Sequence, residues 1–406
     1  MILRRIGPYH HARFQHASRY LDLHILETRP DSLEDPWNFH FSSNYAVHRL
    51  GSPEVQARNL PGRDLIREIG VLLENIAPEY VITVGWADPE YHIALNWAKR
   101  NSVPCGVVSD SRWEDHPRNG LFEWFKGSLV RQFDAALAAG TQSRNYLNRL
   151  GFPRDRIFTA WDVVDNDYFR SAAEHIRNRS IRPEKYSLPE KYFLCVARFI
   201  LKKNHEALLQ AYARFKAENA GDTHALVLLG AGELEATLRR RINDLGLESS
   251  VRIDGFAQYE DLPYYFAWAT ALILPSHSDQ WGLVVNEAMA SGCPVIVSAA
   301  CGCVPDLIEH GVNGFSFNPS DIGHLAGLLH VVAGMPDVEM DAIRRNAFVT
   351  IEAYGLQRFT GGIIELIGEP KNTASWYAPL LRWILLKYVL FSSSKYESGL
   401  PENAAQ

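Results

Sequence analysis

The 406-residue chain has no run of roughly eighteen apolar residues, so no segment reads as a membrane-spanning helix. It has no Lys/Arg-dense tract and no basic stripe interleaved with aromatics. Its formal net charge is −6, so nothing in it argues for nucleic acid. Low-complexity tracts and internal repeats are missing too, which excludes solenoids and propellers. Cysteine is scarce. The five present (Cys105, Cys195, Cys293, Cys301, Cys303) are an odd number in a chain that reads as lacking a signal peptide, so a reduced, cytoplasmic setting is expected. Cys301 and Cys303 stand without a Cys/His cluster, which argues against zinc and leaves them as small loop residues.

What is present is a globular balance, 47% hydrophobic and 22% charged, over a length that suggests two domains. Apolar strand-like runs alternate with helical patterns, the mark of parallel sheets in α/β layers. Strands are expected at 22–27, 80–84, 106–109 and 135–138, with helices at 65–76, 91–100, 122–131 and 142–150. After a polar stretch, Ser171 to Glu190, strands are expected at 192–196, 225–229, 251–254, 271–274 and 294–298. Helices such as 205–216 and 233–245 lie between them. The expected plan is a first Rossmann-like domain at 1–168, a linker at 169–190, a second Rossmann-like domain at 191–365 and a helical extension at 366–406. Two doubly wound domains then face a cleft at the carboxyl ends of their strands, where ligands of such sheets bind. Within the extension, Trp376 to Phe391 is amphipathic, with Arg382 and Lys387 among Trp, Tyr and Leu. It reads either as a peripheral membrane contact or as a helix packed back on the protein.

The densest chemistry lies in residues 275–295. Apolar Ala271 to Leu274 gives way to Pro-Ser-His-Ser-Asp-Gln-Trp-Gly, then to a helix carrying Glu287. A loop that opens a helix presents free amides to a phosphate. Asp279 and Glu287, on either side, can accept hydrogen bonds from sugar hydroxyls. Phosphate in the middle with polyol at both ends describes a nucleotide sugar. Upstream, Arg198 follows a predicted strand and Lys203 precedes a helix, so both cations can face the cleft and offset charge on a leaving diphosphate. Gly230-Ala231-Gly232 turns between strand and helix, and Val251 to Phe256 ends in Gly-Phe. In the first domain, Ile6-Gly7-Pro8-Tyr9-His10-His11-Ala12-Arg13 is a Gly-led loop rich in rings and cations. Val108-Ser109-Asp110-Ser111 ends another strand, with His116 soon after.

These segments resemble the family-four glycosyltransferases, retaining enzymes of the GT-B fold. The signature acid-x-Phe-Gly-x-x-x-x-Glu-Ala appears here as Asp279, Gln280, Trp281, Gly282 and then Glu287-Ala288, with Asp where the family usually has Glu. The resemblance covers roughly residues 190–320 and is weaker before that. It implies that Asp279 holds the transferred sugar, that Gly282 and Leu283 offer amides to the diphosphate, and that Glu287 holds the ribose. Arg198 and Lys203 match the family's phosphate-binding Arg and Lys, although Ala197 and Asn204 replace glycines. Gly230 and Gly232 match a Gly-x-Gly near the nucleotide, and Phe256 a loop near the nucleobase. Cys303 and Asp306 depart from a Gly-Gly-x-x-Glu segment. Gly7 matches the loop that approaches donor phosphate and acceptor. A family histidine near the transferred sugar could correspond to Asp110, His116 or His92. Asp165-Asn166-Asp167 imitates a metal-binding Asp-x-Asp, but fits the hinge segment of this family better.

The expectation is therefore a metal-independent, retaining hexosyltransferase-type enzyme. It would use no cofactor beyond a UDP-, GDP- or ADP-sugar donor, with a glycan, glycolipid or polysaccharide precursor as hydroxyl acceptor. A 2-epimerase of the same fold and a non-catalytic sugar-binding relative are the alternatives. The sequence names neither the base, the sugar, the acceptor nor the oligomeric state.

Overall fold

A computed structural model describes residues 1–29, 39, 41–50 and 62–369. Among them two sheets form, both parallel throughout. The first holds β1 (Ile2–Leu3), β2 (His24–Glu27), β3 (Ala46–Arg49), β4 (Val81–Val84), β5 (Cys105–Ser109), β6 (Ala135–Ala138) and β7 (Ile157–Thr159), in the order β3-β2-β1-β4-β5-β6-β7. The second holds β8 (Tyr192–Val196), β9 (Ala225–Leu229), β10 (Val251–Gly255), β11 (Ala271–Leu274), β12 (Val295–Ser298) and β13 (Phe315–Phe317), in the order β10-β9-β8-β11-β12-β13. Central strands such as β5 and β11 are buried along their whole length because helices cover both faces. They consequently read as unbroken apolar runs rather than alternating ones.

The first sheet is served by α1 (Pro8–Ala17), α2 (Gly62–Ile76), α3 (Pro89–Arg100), α4 (Gly120–Val130) and α5 (Thr141–Arg149). The chain crosses through α6 (Asn166–Asn178) into α7 (His205–Glu218), α8 (Glu235–Asp244), α9 (Leu262–Trp268), α10 (Leu283–Ala290), α11 (Val304–Leu307), α12 (Ile322–Ala333) and α13 (Asp337–Glu352), ending at α14 (Leu356–Gly368).

Two connections differ from the sequence expectation. The polar stretch expected as a linker begins inside α6, whose Phe169 is fully buried in the core of the second domain. That helix is amphipathic, so its polar face dominates the composition while its other face packs. The end of the described chain also differs. Helix α14 leaves the second domain and packs on the first. Phe359, Ile363 and Leu366 join Phe14, Leu137 and Trp161 in one core. Burying three such side chains contributes roughly 1.5–3 kcal/mol each, enough to recruit a helix across the domain boundary. The amphipathic segment Trp376 to Phe391, read as either a membrane contact or a helix packed back on the protein, lies outside the described residues. Among the described residues no helix is long and apolar enough to cross a membrane.

Candidate functional site

In each sheet the strand order reverses once, between β1 and β4 and between β8 and β11. A crevice opens at the carboxyl end of such a reversal because the two following loops diverge to opposite faces. Arg198 and Lys203 follow β8, and Asp279 to Leu283 follow β11. The topology thus sets side by side two segments eighty residues apart. The peptide of His277 seals them, its N–H donating to the Lys202 carbonyl at 2.8 Å.

Lys203 Nζ donates to Asp279 Oδ2 at 2.5 Å, and both side chains are nearly buried. Asn204, next in the chain, has φ +54°, a conformation that Asn tolerates better than most residues. This explains how it stands where the family has glycine. Its side-chain amide also donates to the Pro275 carbonyl at 3.1 Å, tying the β8 loop to the β11 loop. Arg198 is exposed at the rim. Gly230 and Gly232 underlie it: a Cβ on Gly230 would lie 2.0 Å from the Ala197 carbonyl oxygen, and one on Gly232 2.6 Å from that of Phe199. The glycines let the β9 loop hydrogen-bond directly to the Arg198 loop, with the Phe199 N–H donating to Ala231 O at 2.9 Å. Gly230→Ala is therefore expected to destabilise the protein by about 1–3 kcal/mol in a urea titration. Gly221→Ala, which meets nothing within 4 Å, should shift the midpoint little. Equal midpoints for the two variants would refute this account of the turn. Phe256, after β10, is partly exposed at 38%.

Gly282 caps α10 with φ +100°, so the helix starts abruptly and the amides of Gly282 and Leu283 have no carbonyl of a preceding turn to bind. Trp281 points the other way. It is buried, donates Nε1–H to Asn286 Oδ1 at 2.9 Å, and leaves no room for a Cβ on Gly140 of the first domain. Its indole is an interdomain packing element, and only its backbone lies along the crevice. Glu287 is buried on α10 and accepts the Tyr9 hydroxyl at 2.5 Å. Burial pushes its carboxyl up to about 7, and the Tyr9 hydrogen bond pulls weakly the other way.

The first domain supplies the facing wall. A cavity of about 470 Å³ opens at the ends of β1, β4 and β5, reaching across to Gln280. Asp110 and His10 line it. Burial raises the Asp110 carboxyl, and the negative charges of Asp115 and Asp279 add to this. Burial, with Arg13 nearby, holds His10 neutral down to about 3. Asp162 is likewise pushed up to about 7 by burial, against the pull of Arg13 at 3.6 Å. The other two histidine candidates lie elsewhere: His116 is exposed after a short turn at Trp113–Asp115, and His92 is buried within α3. Gly7 precedes α1 as its cap and brings Tyr9 and His10 to the cleft.

The domains are clasped by residues to which sequence reasoning gave no such role. Asp306, the departure from the family pattern, accepts both the N–H (3.0 Å) and the hydroxyl (2.8 Å) of Thr141. Arg112 is buried and donates to Ser278 Oγ (3.0 Å), to the Ala300 carbonyl (2.8 Å) and to Asp115. It thereby holds the Asp279 loop from the opposite domain. The signal for Arg112 was faint, one arginine two residues beyond Asp110. Asp165 accepts the Tyr168 N–H at 3.0 Å as the cap of α6, while Asp167 is exposed.

Residues 177–346 match the profile described as glycosyl transferases group 1. That segment, 170 of the 406 residues, is similar to the group 1 glycosyl transferases. O-antigen chain mannosyltransferase B of Escherichia coli is 30% identical over 231 residues, 55% of this chain and 58% of that protein. Across the curated relatives it matches, the chain spans about half of their length. Among solved structures, Anabaena HepE with UDP-glucose aligns at TM-score 0.69 and 17% identity, covering 91% of this chain and 98% of the other. The lipopolysaccharide outer core galactosyltransferase WaaB aligns at 0.62 and 18%, covering 90% and 99%. The two facing domains are thus of the GT-B kind. The group 1 match contains every second-domain site residue named above, from Arg198 to Glu287.

Proposed function

We propose that this protein is a retaining glycosyltransferase of the group 1 kind. It moves a sugar from a nucleotide-diphosphate sugar to a hydroxyl of a glycan, glycolipid or polysaccharide precursor. The observation that carries this reading is the convergence of Lys203, Arg198 and the first amides of α10 on one crevice, with Glu287 one helical turn beyond. In this proposal the diphosphate lies on the α10 amides and the ribose hydroxyls donate to Glu287. Lys203 turns from Asp279 to the phosphate, which frees Asp279 to accept sugar hydroxyls. The acceptor enters through the cavity beside Asp110 and His10. The bond from acceptor oxygen to the anomeric carbon forms on the face the diphosphate leaves, and the acceptor proton passes to the departing phosphate oxygen. Once Lys203 has turned, the growing negative charge is met by cations held at the crevice, the usual source of the largest rate gain. A UDP-sugar donor is suggested by the HepE neighbour, and the reducing, cytoplasmic setting belongs to the same proposal.

A thermal-shift screen of UDP-, GDP- and ADP-sugars tests it. One class should raise the melting temperature in a concentration-dependent way, because a ligand that binds only the folded state stabilises it. The same donor should then be consumed with an added acceptor. Failure of every nucleotide sugar to shift the melt would refute the reading, and turnover to an epimer without acceptor would favour the epimerase. EDTA should leave transfer intact, since Asp165 already has a capping role. Activity lost to EDTA and restored by manganese would return the Asp165–Asp167 pair to consideration as a metal site.

A further inference from the structure

Helix α4 presents to solvent the kind of residues that helices usually bury. Leu121, Phe122, Trp124 and Phe125 are 64, 66, 61 and 48% exposed, while Gly127 and Val130 form the buried side. At about 100° per residue the four apolar side chains cover an arc of roughly 160°, opposite the buried pair. Surface helices normally show the reverse pattern, and clusters of large exposed rings mark interaction sites. The seat is firm: Asn119 caps the helix by accepting the Leu121 N–H, and a Cβ on Gly127 would lie 2.5 Å from the Leu150 carbonyl. Trp113, 37% exposed, extends the patch under the Arg149 guanidinium, 4.9 Å from its ring. Among the described residues no element lies over the arc.

We infer that α4 docks the protein on an anionic lipid surface, with Leu121, Phe122, Trp124 and Phe125 entering the headgroup region. The charge around the patch selects this occupant. The one acid on the helix, Glu123, is engaged by Arg118, Lys126 and Tyr146. Arg131 and Arg149 stand at the edge, giving a basic rim in a chain of net charge −6. Aromatic and aliphatic side chains bordered by Lys and Arg suit an interfacial helix on anionic lipid. A second copy fits worse, because a two-fold contact would set the same cations against one another. The chain also runs from Asp110, which lines the cavity, through nine residues into α4, so a lipid-borne molecule held there would arrive near the cavity mouth. The docking itself does not rest on the proposed transfer.

Vesicle flotation of the full chain tests the inference. The protein should float with phosphatidylcholine–phosphatidylglycerol vesicles, float less with phosphatidylcholine alone, and lose binding as salt rises. The double variant Phe122→Ser/Trp124→Ser should bind at least about tenfold more weakly, because two large apolar side chains no longer enter the interface. Should that variant melt early, Trp124→Phe supplies a second readout. Brominated lipids should quench the wild-type tryptophan emission more than that of this variant. Four results would overturn the inference: no flotation of the wild type with either vesicle, equal quenching of both proteins, binding abolished by removing residues 370–406 but unchanged by the α4 variants, or a dimer in solution that Phe122→Ser/Trp124→Ser dissociates in a protein that ignores vesicles. None of these measurements involves sugar transfer, so their failure and that of the proposed activity are separately visible.

Discussion

Lys203→Ala is expected to lower kcat for sugar transfer by roughly 100- to 1,000-fold, the size seen when one preorganised donor to a developing negative charge is removed. Its Nζ sits 2.5 Å from Asp279 in the donor-free protein, so the charge is already at the crevice and has only to turn from that carboxylate to the phosphate. The loss should fall mainly on kcat, because charge on the leaving diphosphate is greatest in the transition state. The variant also leaves Asp279 close to two other acids, Asp110 and Asp162, whose carboxyls burial and mutual repulsion already push upward. A lower melting temperature should accompany the kinetic loss, and Asp279→Asn added to Lys203→Ala should restore stability but not rate. Lys203→Arg keeps the charge and should retain most activity. A Lys203→Ala enzyme with normal kcat would mean that the phosphate lies elsewhere.

Replacing Glu287 with Gln is expected to weaken the preferred donor about 10- to 100-fold, because ribose hydroxyls lose a charged acceptor. The environment of Glu287 adds a pH signature. Burial raises its carboxyl from an ordinary 4.5 to about 7. A carboxyl raised in the folded state contributes stability that is complete below pH 4.5 and is lost as pH rises through about 7. The donor-free protein should therefore lose stability over that window, and Glu287→Gln should remove part of the loss. Asp162, pushed to about 7 as well, keeps the rest. Donor binding has the opposite sign. Hydroxyls that donate to the carboxylate favour its ionised form, so donor affinity should fall as pH drops below about 7, with protons released on binding. Calorimetry at pH 6 in buffers of different ionisation enthalpy would count those protons. A proton count unchanged by Glu287→Gln would remove Glu287 from the donor site.

The legibility of this chain divides by distance along it. Arg198, Lys203, Gly230, Gly232, Asp279, Gly282 and Glu287 were readable because each lies just past a strand end or at a helix start, where the local run of residue types sets the structure. Their meeting follows from strand order, which the alternating α/β pattern already implied. Trp281 was readable as part of a motif but not as an interdomain wedge, since what decides its orientation is Gly140, far away in the other domain. The α4 patch shows the same limit. Its sequence pattern predicts a helix, but only the packed structure tells which of its apolar residues face outward.

The amino-acid order alone determined two doubly wound domains and the loop-to-helix turn at Gly282 in the second, because periodicity and turn chemistry act between near neighbours. Tertiary structure alone decided that Tyr9 meets Glu287 across 278 residues, that Arg112 and Asp306 clasp the domains, and that α14 returns to the first sheet. Such contacts depend on how two finished surfaces fit and on which buried charges find partners, and no spacing within one segment encodes that.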